Sequence, residues 1–108
     1  MDYLNSSDDF RQLLSSEDAL CCYFTRPSCS VGESLESKVE SLLTSTYPKI
    51  RLIGIDMNSF QEESKALNVF VEPTVVFFFE GKEYIRKSRN FSMVQLSSEI
   101  QRIYTLLF

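Results

Sequence analysis

Three short runs with little or no charge limit the fold of this chain more than any other feature. Ala19-Leu20-Cys21-Cys22-Tyr23-Phe24 is continuously apolar, Ile50-Arg51-Leu52-Ile53-Gly54-Ile55-Asp56 is nearly so, and Thr74-Val75-Val76-Phe77-Phe78-Phe79 has no charge. A strand with one wet face alternates apolar and polar side chains, so an apolar run without alternation reads as a strand covered on both faces. The core of this protein is therefore expected to be a sheet with helices packed on its two sides.

The segments between the runs carry helical periodicity. Ser6 or Ser7 can cap a short first helix with Asp8 and Asp9 in its opening turn and Phe10, Leu13 and Leu14 on one face. From Val31, the positions Leu35, Val39, Leu42 and Leu43 form an apolar stripe that stops before Tyr47-Pro48, where proline cannot continue a helix. Ser59 and Glu62 have the spacing of a capping box, which predicts a third helix running to about Leu67, with Asn68 as its terminator. Glu80-Gly81-Lys82 reads as a glycine turn into Glu83-Tyr84-Ile85-Arg86, an antiparallel hairpin. A last helix, capped by Ser92 with Gln95 in support, buries Leu96, Ile100, Ile103, Tyr104 and Leu107.

The order is helix, strand, helix, strand, helix, strand, strand, helix, with the first two strands parallel if the intervening helix is a crossover. The fold class is α/β, a βαβ unit plus a ββα unit around a central mixed sheet of four strands. Repeats, linkers and low-complexity stretches are absent, so residues 1–108 read as a single domain.

Charge and composition exclude several functions. The formal charge of −4 opposes binding to nucleic acid, which needs clustered Lys and Arg to displace counterions. Lys82, Arg86, Lys87 and Arg89 form a local basic group, but along a late strand they read as protection of a sheet edge. The chain has no histidine, which removes Ser-His-Asp and Cys-His catalysis and all histidine metal sites. Its acidic start lacks the pattern of a signal peptide, and no window is apolar enough for a membrane span, so the expected location is cytoplasmic. Three cysteines, two of them adjacent, suit a reducing compartment rather than a disulfide framework. Cys21 and Cys22, as neighbours on a strand, point to opposite faces and behave as small buried hydrophobes.

Cys29 differs from both. It lies in Phe24-Thr25-Arg26-Pro27-Ser28-Cys29-Ser30-Val31-Gly32, where a strand should hand over to a helix. Free N–H groups and the helix dipole there favour thiolate, the reactive form. An inert small residue at a helix start is the other reading of the same position. Val71-Glu72-Pro73-Thr74 opens the third apolar run, and Pro73 follows Cys29 by 44 residues. A proline at the head of a strand also has an ordinary explanation, since its missing N–H does no harm there. Arg26 favours thiolate, while Glu72 opposes it if its carboxylate turns inward.

The two motifs, their order and their spacing resemble the thioredoxin superfamily, and the likeness spans nearly the whole chain, including Ile55-Asp56 at the end of the second strand. That resemblance implies a cis peptide bond at Pro73 beside the reactive sulfur, and a shallow groove bordered by Val31, Val71, Glu72 and Pro73. In that groove, peptide partners pair with backbone just before the proline. This chain departs from the family pattern in its chemistry. Gly32 replaces the second cysteine, Tyr23 a buried acid, Leu52 the lysine paired with that acid, and Ser28 a tryptophan, and the family's late glycine maps near Arg89. A thioredoxin without its resolving thiol is expected to work by monothiol, mixed-disulfide chemistry through Cys29. Its partners would be protein or small-molecule thiols and disulfides, with no resident cofactor beyond a low-molecular-weight thiol that recycles it. The alternative is a non-catalytic module that binds protein through the groove beside Cys29 and Pro73.

Overall fold

The structure, a computed structural model, describes residues 1–26 and 35–108 in full and the backbone of residues 30–34. The elements are α1 (Ser7–Ser16), β1 (Ala19–Thr25), α2 (Ser30–Thr46), β2 (Arg51–Asp56), α3 (Gln61–Ala66), β3 (Thr74–Phe79), β4 (Lys82–Ser88) and α4 (Met93–Leu107). The four strands form one mixed sheet in the order β2-β1-β3-β4. β1 runs parallel to β2 and antiparallel to β3, and β4 is antiparallel to β3.

The unbroken apolar runs work as the period of a strand requires, with successive side chains sent to opposite faces. Ala19, Cys21, Tyr23, Val75, Phe77 and Phe79 face one core, with Leu35, Val39 and Leu43 of α2 and Leu96 and Ile100 of α4. Leu20, Cys22, Phe24, Val76 and Phe78 face the other, with Phe10 of α1 and the partly buried Leu13, Leu14, Phe60 and Leu67. Every residue of β1 and β3 is buried. Cys21 and Cys22 thus lie in different cores, and both are fully buried.

The connections follow local chemistry. The Ser6 hydroxyl accepts the Asp9 N–H at the start of α1, and the Ser92 hydroxyl accepts that of Gln95 at the start of α4. The β3–β4 turn places Glu80 and Gly81 both at positive φ (54° and 79°), the pairing that a two-residue hairpin loop requires. β4 is an edge strand, as its basic residues imply, and a bulge after Phe77 leaves the half-exposed Tyr84 outside the regular pairing, with its ring edge-on to Phe79.

Three local expectations are corrected. α3 begins at Gln61, its N-cap is Phe60, and no side chain caps it. The Ser59 hydroxyl donates instead to the Asp56 carboxylate (3.2 Å), which also accepts the Asn58 N–H (2.9 Å). β4 begins at Lys82 and runs on to Ser88, beyond the stretch that its composition suggests. Leu107 is exposed at the end of α4 rather than part of its buried stripe. The acidic start of the chain also has a structural role: Tyr3 forms a parallel bridge to Gly54, with Gly54 N–H donating to Asp2 and Leu4 N–H to Gly54. A side chain at Gly54 would meet the Tyr3 ring at 2.8–2.9 Å, so glycine allows this close approach. No helix among the described residues is long and apolar enough to cross a membrane.

Candidate functional site

The loop between α3 and β3 carries Val71, Glu72 and Pro73, and the sequence builds it as a rigid unit. Asn68, at φ 58°, turns the chain out of α3, as its short polar side chain permits. The Arg86 guanidinium on β4 donates to the carbonyls of Leu67 (2.7 Å) and Asn68 (3.2 Å), which holds the end of α3 to the sheet. The same guanidinium donates to both oxygens of Glu83 at 2.8 Å. Hydrogen bonding to Arg86 leads in holding the Glu83 carboxyl below its ordinary range; partial burial opposes this and the Arg86 charge adds to it.

The Glu72–Pro73 peptide bond is cis, and Pro73 is buried while Val71 and Glu72 are half-buried. Two bonds fix the loop from its β3 side. The buried Thr74 hydroxyl donates to the Val71 carbonyl (2.7 Å) and lies 3.0 Å from the Ser88 hydroxyl. Arg89 N–H donates to the Pro73 carbonyl at 2.7 Å, with Arg89 itself at φ 58°, a conformation that glycine adopts more readily. The resemblance maps the family's late glycine near this residue, and the backbone here keeps a glycine-like turn with a side chain in place. Thr74→Val is expected to cost about 1–3 kcal/mol, because it keeps the branched shape and orphans the Val71 carbonyl. Urea unfolding with an unchanged m-value would measure it, and a loss below about 0.5 kcal/mol would show that water replaces the hydroxyl.

Arg26, at the exit of β1, meets this loop from the other side. Its backbone N–H donates to Glu72 Oε2 at 2.6 Å, and its guanidinium lies 3.5 Å from Glu72 Oε1. Glu72 therefore spends its carboxylate on Arg26. Arg26 also borders a cleft of about 170 Å³ with Met57, Ser64, Lys65 and the exposed Phe70. Larger clefts, of about 390 and 480 Å³, lie along the N-terminal segment and β2.

Of the site residues read from the sequence, the structure brings Arg26, Glu72, Val71 and Pro73 into one neighbourhood. Cys29 lies outside the described residues, as does the Val31 side chain. Cys21 and Cys22 are not candidates for exchange chemistry: burial pushes both thiols up, Cys21 further still by the neighbouring Cys22. Tyr23 and Leu52, at the positions of the family's acid and lysine, both pack into the core shared by α2 and α4. Sequence reasoning passed over the Thr74 hydroxyl and Ser88, and it read Arg86 only as edge protection, because their partners lie across the sheet or at the end of α3.

A mixed sheet of this order, with helices on both faces and a cis proline opposite the exit of its first strand, defines a thioredoxin-fold domain. The thioredoxin family model matches residues 3–102. The thioredoxin-like protein YdfQ of Bacillus subtilis (strain 168) is 29% identical over 84 residues, which cover 78% of this chain and 74% of that protein. Among solved structures, a mutant thioredoxin from Halobacterium salinarum superposes with a TM-score of 0.82 at 23% identity, over 94% of this chain and 88% of the other. Fasciola hepatica thioredoxin gives 0.80 at 26% identity, over 94% and 98%. The chain belongs to the thioredoxin family, and it is a thioredoxin-like protein.

Proposed function

We propose that this protein takes part in thiol–disulfide exchange through one reactive cysteine, Cys29, in the cytoplasm. The observation that carries the reading is the Arg26–Glu72 contact, which ties the chain three residues before Cys29 to the residue before the cis proline, 46 positions away. Family membership supports it, and so does the burial of Cys21 and Cys22, which leaves exchange to Cys29.

The chemistry is a single substitution at sulfur. The Cys29 thiolate attacks one sulfur of a partner disulfide, a new S–S bond forms, and the other partner sulfur leaves as thiolate. Gly32 offers no second thiol, so release requires an outside thiol to attack the mixed disulfide, and a low-molecular-weight cytosolic thiol suits that role. Partners would be protein or small-molecule thiols and disulfides. Half-buried Val71 and Glu72 and buried Pro73 would orient a peptide by pairing along the loop backbone.

An aromatic disulfide reagent at neutral pH tests this. One thiol per folded chain is expected to react, at a rate at least about tenfold above that of the same thiol in denaturant, and Cys29→Ser is expected to abolish it. Equal rates in the folded and unfolded protein would overturn the reading. A second reading, a binding module without exchange chemistry, is favoured by the fully buried Tyr23, which stands where the family keeps a proton-moving acid. It predicts partner capture that survives Cys29→Ser and fails on enlarging Val71, and capture lost with the cysteine alone would exclude it.

A further inference from the structure

We infer that Glu72 is a positioning residue for the end of β1, and that it acts through the main chain of Arg26 rather than through the ion pair. The inference deepens the thiol-exchange reading and rests on it for one of its two readouts. Two contacts join the residues, and their magnitudes differ. The guanidinium and carboxylate are 3.5 Å apart with side chains 38% and 23% exposed, a geometry in which solvent screens most of the attraction. The backbone N–H of Arg26 donates to the other carboxylate oxygen at 2.6 Å, a short charge-assisted bond of the stronger kind.

The carboxylate is mounted on a fixed support. The Thr74 hydroxyl on the Val71 carbonyl, the Arg89 N–H on the Pro73 carbonyl and the Arg86 guanidinium on the end of α3 all hold the loop without any help from residue 26. Residue 26 follows directly on the central strand, where the Thr25 carbonyl accepts the Met57 N–H, so the Glu72 carboxylate joins this loop to the end of β1 at the point where the chain leaves the sheet. Both carboxylate oxygens of Glu72 turn toward Arg26, one to its backbone N–H and one to its guanidinium.

Comparing Glu72→Ala with Glu72→Gln separates position from charge. Both remove the negative charge, but only glutamine keeps an oxygen that accepts the Arg26 N–H. The expected result is amide hydrogen exchange at Arg26 that is about tenfold or more faster in Glu72→Ala than in Glu72→Gln. Arg26→Ala, which keeps the N–H, should leave exchange at position 26 within about threefold of the parent protein. The rate of Cys29 with a disulfide-containing peptide should fall at least about fivefold in Glu72→Ala relative to Glu72→Gln. Equal amide exchange in the two Glu72 variants would overturn the tether, and different exchange with equal Cys29 rates would overturn its positioning role. A Cys29 that reacts no faster in the folded parent than in the unfolded chain overturns the thiol-exchange reading, and with it the positioning of Cys29, while the amide comparison still decides whether the tether exists.

Discussion

Under the single-cysteine chemistry proposed for Cys29, a Gly32→Cys variant is expected to release its mixed-disulfide partner unaided, whereas the parent protein is expected to stall at that stage. The parent chain, once joined to a partner through Cys29, has no internal thiol able to attack the new bond. Cys21 and Cys22 are fully buried in separate cores, and burial keeps both protonated. A thiol at position 32 would stand in the family's resolving position, and an intramolecular attack of that kind outruns any millimolar external thiol. Held reacting groups reach effective concentrations of about 10⁵ M or more at the favourable limit. A gain of at least about 100-fold in partner release without added thiol is a conservative expectation. It is measured by isolating the mixed disulfide with a cysteine-containing peptide and following peptide release by chromatography. The parent adduct should persist until an external thiol is supplied, and the Gly32→Cys adduct should collapse to an internal disulfide. Spontaneous release from the parent would show that another group resolves the bond, and the monothiol reading would then fail.

The fold was legible where one element sufficed to decide it. The parity of Ala19, Cys21 and Tyr23 against Leu20, Cys22 and Phe24 follows from strand geometry alone, so both cores could be read before any packing was known. Ser92 and Gln95 gave the start of α4 for the same reason, because donor and acceptor lie three residues apart. Where two local chemistries competed, the sequence did not show the winner. Ser59 and Glu62 have capping-box spacing, yet Asp56 stands close enough to engage Ser59 and Asn58, and the turn prevails over the cap. The bridge between Tyr3 and Gly54, and the exposure of Leu107, depend on tertiary neighbours that no local window contains.

The candidate site follows the same division. Val71-Glu72-Pro73-Thr74 carried enough information to name the loop, while Cys29 lies outside the described residues. What holds the loop was hidden, because each bond joins distant segments: Arg26 to Glu72 across 46 residues, Arg86 to Leu67 across 19, Thr74 to Ser88 across 14. A hydroxyl or a guanidinium in a list of residues does not reveal its partner. The direction of the Glu72 carboxylate was open in the sequence for this reason, and its partner is a backbone N–H, which no sequence motif marks.

Placing at position 23 the buried acid that the resemblance implies, by Tyr23→Asp, is expected to be severely destabilising. Tyr23 is fully buried, paired in register with Gly54 on β2 and Val75 on β3, and packed in the core shared with α2 and α4. Aspartate there leaves a cavity the size of most of a tyrosine ring and desolvates a carboxylate, for a combined cost of about 4 kcal/mol or more. Against a total stability of roughly 5–15 kcal/mol, that lowers the melting temperature by at least about 16 °C or unfolds the chain. The pH dependence gives a second signature. Burial raises the folded-state pKa of the new carboxyl above its unfolded value, so the folded variant binds the extra proton. The variant's stability relative to the parent is then greatest below the unfolded pKa, and it is lost as pH rises toward the folded one. Leu52 packs against the same core, so adding Leu52→Lys supplies the cation that the family pairs with its acid. The double variant should recover about 0.5–3 kcal/mol relative to the sum of the single changes, a coupling that melting at pH 5 and pH 8 would read directly. A Tyr23→Asp protein that melts within a few degrees of its parent at both pH values would mean that this core admits a charge freely.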